Sequence, residues 1–141
     1  MIKIRQNLYQ GSLDDLSMDN LMIQKFDIIF NVAEELKRIL PDSIKWQDDF
    51  ITGFYHYGLI DDSIDQNASI SNIIQILKYH IIECNKKVLV ICSAGLSRSP
   101  YICARYLAMA ENRTIDDVYK ELKELNWGID DKSPLRCNDV I

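Results

Sequence analysis

Apolar residues in this chain gather in short runs separated by polar turns, and the period changes from run to run. Residues 26–32 and 87–91 are nearly unbroken apolar stretches, the signature of strands buried on both faces. Residues 51–60 are rich in Tyr and Phe and read as a further strand. Residues 2–10 read as a strand or hairpin ending at Gly11. Between these runs the period becomes helical. Residues 13–24 carry Leu13, Leu16, Leu21 and Met22 and predict a short helix. Residues 34–40 predict a helical turn stopped by Pro41. Ser69 or Ser71 is placed to cap a long helix bearing Ile73, Ile74, Leu77, Ile81 and Cys84 on one stripe. Residues 97–111 form the next helical pattern, with Pro100 in its first turn, where a missing N–H costs little. Thr114 followed by Asp117 predicts the cap of a last helix ending at Leu125. Residues 126–141 show no helical stripe and read as a shortened helix, a frayed end or a docking segment.

Strands alternating with helices predict a single-domain α/β sandwich with a mostly parallel central sheet flanked by helices. The length of 141 residues fits one domain with a substantial core. Apolar residues make up 48% and charged residues 26%, the balance of a soluble globular protein. A net charge of −5 argues against a nucleic-acid partner. No apolar run is long enough to span a bilayer, and the first residues lack a signal-peptide core, so the expectation is a cytoplasmic monomer. Cys84, Cys92, Cys103 and Cys137 have no CxxC spacing and read as free thiols. His56 and His80 fall on a strand and a helix and read as structural, since no Cys/His cluster has metal-ligand spacing. Trp46 and Trp127 read as core or partner-contact residues.

Chemistry concentrates after the strand at residues 87–91. That strand ends at Cys92, a short loop follows, and a helix opens near Arg98. A strand feeding a loop that opens a helix gathers backbone N–H groups and a positive helix terminus at one point, which is an anion site. A thiol at its mouth sits in an electropositive field, which lowers its pKa and makes it a nucleophile. Arg98 supplies a planar charged fork for two phosphate oxygens. Gly95 lies where a tight wrap needs positive φ or close approach. Each residue also has a plainer reading. Cys92 alone reads as a core cysteine, Arg98 as a solvated residue in a helix's first turn, and Ser97 and Ser99 as helix caps.

The stretch Cys92-Ser-Ala-Gly-Leu-Ser-Arg98-Ser99 resembles the Cys-x5-Arg-Ser/Thr signature of cysteine-dependent protein phosphatases, and its wording is similar to the small dual-specificity phosphatases. Residues 8–12, 28–33 and 61–63 resemble that family's opening strand, second strand and general-acid loop, so the likeness covers about residues 4–125. The resemblance implies that Cys92 is the nucleophile and Arg98 the clamp. It also implies that Ser99 donates to the sulfur and that Ser93, Ala94, Gly95, Leu96 and Ser97 wrap the phosphate. It implies no metal and no cofactor. The general acid must come from Asp61, Asp62 or Asp65 on the polar loop. The family pattern, an Asp followed by a small polar residue, selects Asp62, followed by Ser63. Period-two alternation from an inward Ile60 agrees, sending Asp61 outward and Asp62 inward. The family usually carries His before the nucleophile, where this chain has Ile91. Uncharged loop residues favour phosphotyrosine and phosphoserine or phosphothreonine of proteins over highly charged phosphoinositides. The alternatives are another phosphate ester (a phosphoinositide, a nucleotide or an RNA 5′ end) or a phosphopeptide-binding module with weak turnover.

Overall fold

The computed structural model describes residues 1–139. Six strands form one mixed sheet: β1 (Ile2–Arg5), β2 (Leu8–Ser12), β3 (Ile28–Ala33), β4 (Ser43–Lys45), β5 (Ile51–Leu59) and β6 (Val88–Cys92), in the spatial order β1-β2-β6-β3-β5-β4. The inner pairs β2–β6, β6–β3 and β3–β5 are parallel, while the edge strands β1 and β4 pair antiparallel. Every residue of β3 and β6 is buried, as their nearly unbroken apolar runs require. The one polar residue within them, Asn31, is fully buried and satisfied: its amide N meets His56 Nδ1 at 3.2 Å and its Oδ1 accepts the Ala33 N–H at 3.0 Å. His56 Nε2 lies 2.9 Å from the Pro41 carbonyl, so this histidine joins strands rather than doing chemistry.

Four α-helices accompany the sheet: α1 (Met18–Gln24), α2 (Asn67–Lys78), α3 (Arg98–Ala110) and α4 (Ile115–Leu125). Helix α3 packs on β2, β3 and β6, α2 on β5, and α4 on β1. Thr114 caps α4 as its spacing predicts, accepting the Asp117 N–H at 3.1 Å. No helix among the described residues is long and apolar enough to cross a membrane.

Four local expectations change. The helix expected over residues 13–24 is two elements, a 3₁₀ turn (Leu13–Asp15) and α1. Asp15 reaches back to the Ser12 N–H at 2.8 Å and ends the first turn, and Ser17 then caps the second by accepting the Asn20 N–H. Helix α2 starts earlier than either Ser69 or Ser71 allows, because Asp65 accepts the Asn67 N–H at 3.0 Å. Of its expected stripe, Ile73, Ile74 and Leu77 are buried, joined by Ile70, while a π-helical turn (Tyr79–Glu83) leaves Ile81 and Cys84 only half-buried and Ile82 exposed. Strand β4 is unannounced in the sequence, being three residues with one half-buried side chain. The tail is docked: Ile129 and Leu135 are buried, and a 3₁₀ turn spans Pro134–Asn138. The two tryptophans separate. Trp46 is buried and donates to Thr52 Oγ1 at 3.0 Å, whereas Trp127 is 87% exposed.

Candidate active site

Cys92 is the last residue of β6, at the carboxyl end of a central parallel strand, where open α/β sheets bind ligands. Residues 93–97 turn the chain tightly into α3. The turn needs glycine at position 95 on two counts. Its φ is +74°, and a Cβ there would stand 2.9 Å from the Gly11 carbonyl oxygen and from Ser12 Cβ. The close approach reflects bracing by the end of β2: Leu13 N–H donates to the Ser93 carbonyl at 3.2 Å. Among the described residues, the N–H groups of Ala94, Gly95, Leu96 and Ser97 have no protein acceptor. Four adjacent free amides on a curved backbone, ahead of a 13-residue helix, form an anion nest.

Ser99 sits beneath the sulfur. Its N–H points at Cys92 Sγ from 3.4 Å and its Oγ lies 3.2 Å from Sγ. The same Oγ is 3.1 Å from the Gly11 carbonyl and accepts a hydrogen bond from Gln10 Nε2 at 2.9 Å. With the lone pair side occupied by Gln10, the single hydroxyl hydrogen turns either to Gly11 or to the sulfur. Gln10 is 2% exposed and also donates to the Gly95 carbonyl at 2.8 Å, so one buried amide ties strand, loop and helix together. Gln10 lies outside the Cys92–Ser99 motif and far from it in sequence. The available signal is a long polar side chain directly after the apolar pair Leu8 and Tyr9.

Arg98 is 7% exposed and meets Glu35 in a fork: Nη1 to Oε1 and Nη2 to Oε2, both 2.5 Å. Nη1 also donates to the Leu59 carbonyl at 3.0 Å, and Ser93 Oγ donates to Glu35 Oε2 at 2.8 Å. A guanidinium has five N–H groups in fixed directions. Three are used here. The two that remain, on Nε and the outer side of Nη2, share one edge, which is the edge suited to a bidentate oxyanion. Glu35 therefore orients Arg98 without filling that edge. The Arg98 guanidinium holds the Glu35 carboxyl well below the usual carboxylate range, to about 2. Glu35 was also unread in the sequence, because it lies 63 residues before its partner in an unremarkable polar turn.

Ser97 does not cap α3 with its side chain. Its Oγ instead bonds Asp61 Oδ1 at 2.6 Å and meets Ser133 Oγ at 2.7 Å, and the Asp130 N–H donates to the Leu96 carbonyl at 2.8 Å. The acid loop and the tail thus close on the same side of the nest. Of the three candidate acids, Asp61 is the one bonded to the loop. Asp62 Oδ1 accepts the next N–H, from Ser63, at 2.7 Å, and Asp65 is committed to the start of α2. The inward Ile60 on which that alternation rests is not found: Ile60 is 48% exposed and Leu59 is fully buried, so the same period counted from Leu59, where β5 ends, favours Asp61 rather than Asp62 for the inward side. Beyond β5 the Asp62 N–H bonds the Ile60 carbonyl at 2.9 Å, and a turn this tight resets side-chain directions. Cys92, Arg98, Ser99 and the nest are brought together; among the described residues Asp62 makes no hydrogen bond to them.

Residues 8–133 match the model of a family described as dual specificity phosphatase, catalytic domain. The chain is 28% identical over 112 residues to tyrosine-protein phosphatase pmp1 of Schizosaccharomyces pombe, covering 73% of this chain and 40% of that protein. It is 32% identical over 75 residues to human dual specificity protein phosphatase 4, covering 51% of this chain and 19% of that protein. The chain therefore matches less than half the length of either relative. Human DUSP28 superposes with a TM-score of 0.78 over 98% of this chain and 92% of that chain, at 14% identity. DUSP15 superposes with a TM-score of 0.74 over 92% and 78%, at 23% identity. These structures share the fold, and the family model spans nearly the whole sequence, so the chain belongs to the dual specificity phosphatase catalytic-domain family.

Proposed function

We propose that the chain hydrolyses phosphotyrosine and phosphoserine or phosphothreonine in proteins through a phosphocysteine intermediate, with no metal or other cofactor. The observation that carries this reading is the coincidence at one point of Cys92 Sγ, four unbonded loop amides and the free edge of Arg98. The phosphate's oxygens take the amides and the Arg98 edge, which places phosphorus in line with Sγ. The thiolate attacks, an S–P bond forms and the P–O bond to the leaving group breaks. Asp62 gives its proton to the departing oxygen. Water then attacks phosphorus, Asp62 takes the proton back, and the S–P bond breaks. Ser99 swings its hydroxyl hydrogen from the Gly11 carbonyl to the sulfur as the thiolate leaves, a short move between acceptors at 3.1 and 3.2 Å. Asp61 is assigned the fastening of the acid loop to Ser97. Its contact with the nest also supports a second reading, with Asp61 itself as the acid.

Hydrolysis of p-nitrophenyl phosphate in excess chelator, with a labelled phosphoenzyme trapped on Cys92 by acid quench, tests this mechanism. A panel of phosphopeptides and phosphoinositides tests the substrate class. Turnover confined to the lipids would overturn it, and loss of turnover in chelator would remove the metal-free mechanism.

The Arg98 clamp gives a separate expectation. Glu35→Gln keeps the size of the side chain but removes its charge and turns one oxygen into a donor facing a donor. A guanidinium left loose by an ångström costs about 10²-fold in rate, and that loss should fall on kcat and KM together. The clamp's pH dependence follows from the lowered Glu35 carboxyl. A depressed acid contributes stability that is complete above the ordinary carboxylate range and is lost as pH falls toward about 2. Glu35→Gln should therefore be less stable than the wild type above about pH 4, and the gap should close as pH falls toward about 2. Parallel acid unfolding of the two proteins, with wild-type kcat in the variant, would show that Glu35 does not hold Arg98.

A further inference from the structure

Trp127, at 87%, is the largest exposed apolar side chain among the described residues, and the backbone on either side of it is hydrogen-bonded. The Asn126 N–H donates to the Leu122 carbonyl at 2.9 Å, the Gly128 N–H to Asn126 Oδ1 at 3.1 Å, and the Ile129 N–H to the Asn126 carbonyl at 3.1 Å. Ile129 is buried and the Asp130 N–H is held by the Leu96 carbonyl at 2.8 Å. The indole is thus carried on a rigid turn bolted to the phosphate-binding loop. A Cβ on Gly128 would touch Leu96 Cδ2 at 3.6 Å, so the turn lies directly against Leu96, itself 39% exposed. A rigid, solvated indole beside a binding loop has the properties of a recognition anchor: large area and little entropy to lose.

Charge on the same rim narrows what it recognises. Asp61 and Asp130 flank the Leu96–Ser97 step, one through the Ser97 hydroxyl and the other through its own amide. Asp62 lies beside Asp61. Among the described residues, the hydrogen bonds of all three carboxylates run to uncharged groups: the Ser97 hydroxyl and the amides of Ser63 and Lys132. Lys132 is the exposed cation of the turn, while Lys123 is drawn to Asp131 at 3.6 Å. An exposed aromatic face among carboxylates with uncharged partners suits a cation, which gains from the ring quadrupole and from the acids together. It disfavours an anionic lipid surface.

We propose that Trp127, with Asp61 and Asp130, forms a subsite for an arginine or lysine side chain next to the phosphoresidue of a protein substrate. The proposal rests on the reading of this chain as a protein phosphatase and adds which sequences it prefers. The test compares kcat/KM on phosphopeptides identical except for Arg or Gln at the positions flanking the phosphoresidue, with p-nitrophenyl phosphate measured on the same samples. The wild-type protein should prefer an Arg peptide by roughly three- to tenfold, mainly through KM. Trp127→Ala should bring that ratio to about one, and Trp127→Phe should keep part of it, since phenyl binds cations less well than indole. Trp127 also serves as its own probe: its emission should respond to the Arg peptide in Cys92→Ser, and Trp46 is buried elsewhere. A wild-type ratio near one, or a ratio unchanged in Trp127→Ala, overturns the subsite while leaving the phosphatase reading intact. Hydrolysis of p-nitrophenyl phosphate with none of either peptide overturns the protein-substrate reading, and the subsite with it.

Discussion

Replacing Cys92 by Ser is expected to abolish turnover and to leave phosphopeptide binding in place. The two properties separate because different atoms carry them. Turnover needs the sulfur, and serine offers an alcohol that has no neighbouring base to take its proton: Ser99 and its amide both face it as donors or as a hydroxyl already serving Gly11. Binding needs the nest and Arg98, and neither is held by Cys92. Gln10 and Leu13 fix the loop, and Glu35 and Leu59 fix the guanidinium. The variant should therefore form a stable complex. At a phosphopeptide concentration of about 100 times Kd, binding stabilises the fold by about 2.7 kcal/mol, which a thermal-shift measurement resolves readily. Residual turnover at the wild-type rate would end the covalent mechanism. A variant that is folded but gains no stability from phosphopeptide would show instead that the thiolate, and not the nest, holds the phosphate.

What was legible in the sequence is what lies close together along the chain. Cys92, Gly95, Arg98 and Ser99 are within one turn of loop and the first residues of α3, so spacing and the preceding apolar strand suffice to place them. The parallel core was legible for the same reason, since β3 and β6 announce burial on both faces. The supports of the site were not. Gln10, Glu35 and Ser133 reach it from β2, from the turn after β3 and from the tail, and no local period relates them to Cys92. Tertiary packing also overrode local cues where two signals competed. Ser12 and Ser17 each cap a turn, so one amphipathic stretch became two elements. Asp65 captured the start of α2 ahead of two serines. The tail lacked a stripe because it is held by single buried residues, Ile129 and Leu135, and by side-chain bonds such as Asn138 to the Ile64 carbonyl.

The acid loop is where sequence and geometry divide, and a pair of variants decides between adjacent carboxylates. Asp62→Asn should lower kcat by about 10²- to 10⁴-fold on a phosphoserine or phosphothreonine substrate, whose alkoxide cannot leave without a proton. An aryl phosphate leaves more easily and should lose less. The fall in rate on the alkaline side of the pH profile should flatten, because the group whose deprotonation causes it is gone. Asp61→Asn should act differently. Its carboxylate accepts the Ser97 hydroxyl at 2.6 Å, and the amide that replaces it weakens a charge-assisted bond at the edge of the nest. Loosening that edge misplaces the phosphate and the acid loop together, so the loss should be similar for alkyl and aryl substrates and should appear in KM as well. The signature is thus the dependence on leaving group, not the size of the loss. If Asp61→Asn gives the alkyl-selective loss and the flattened alkaline limb while Asp62→Asn does not, the proton comes from Asp61. The inward Leu59 and outward Ile60 would then have set the acid one residue before where the family pattern places it.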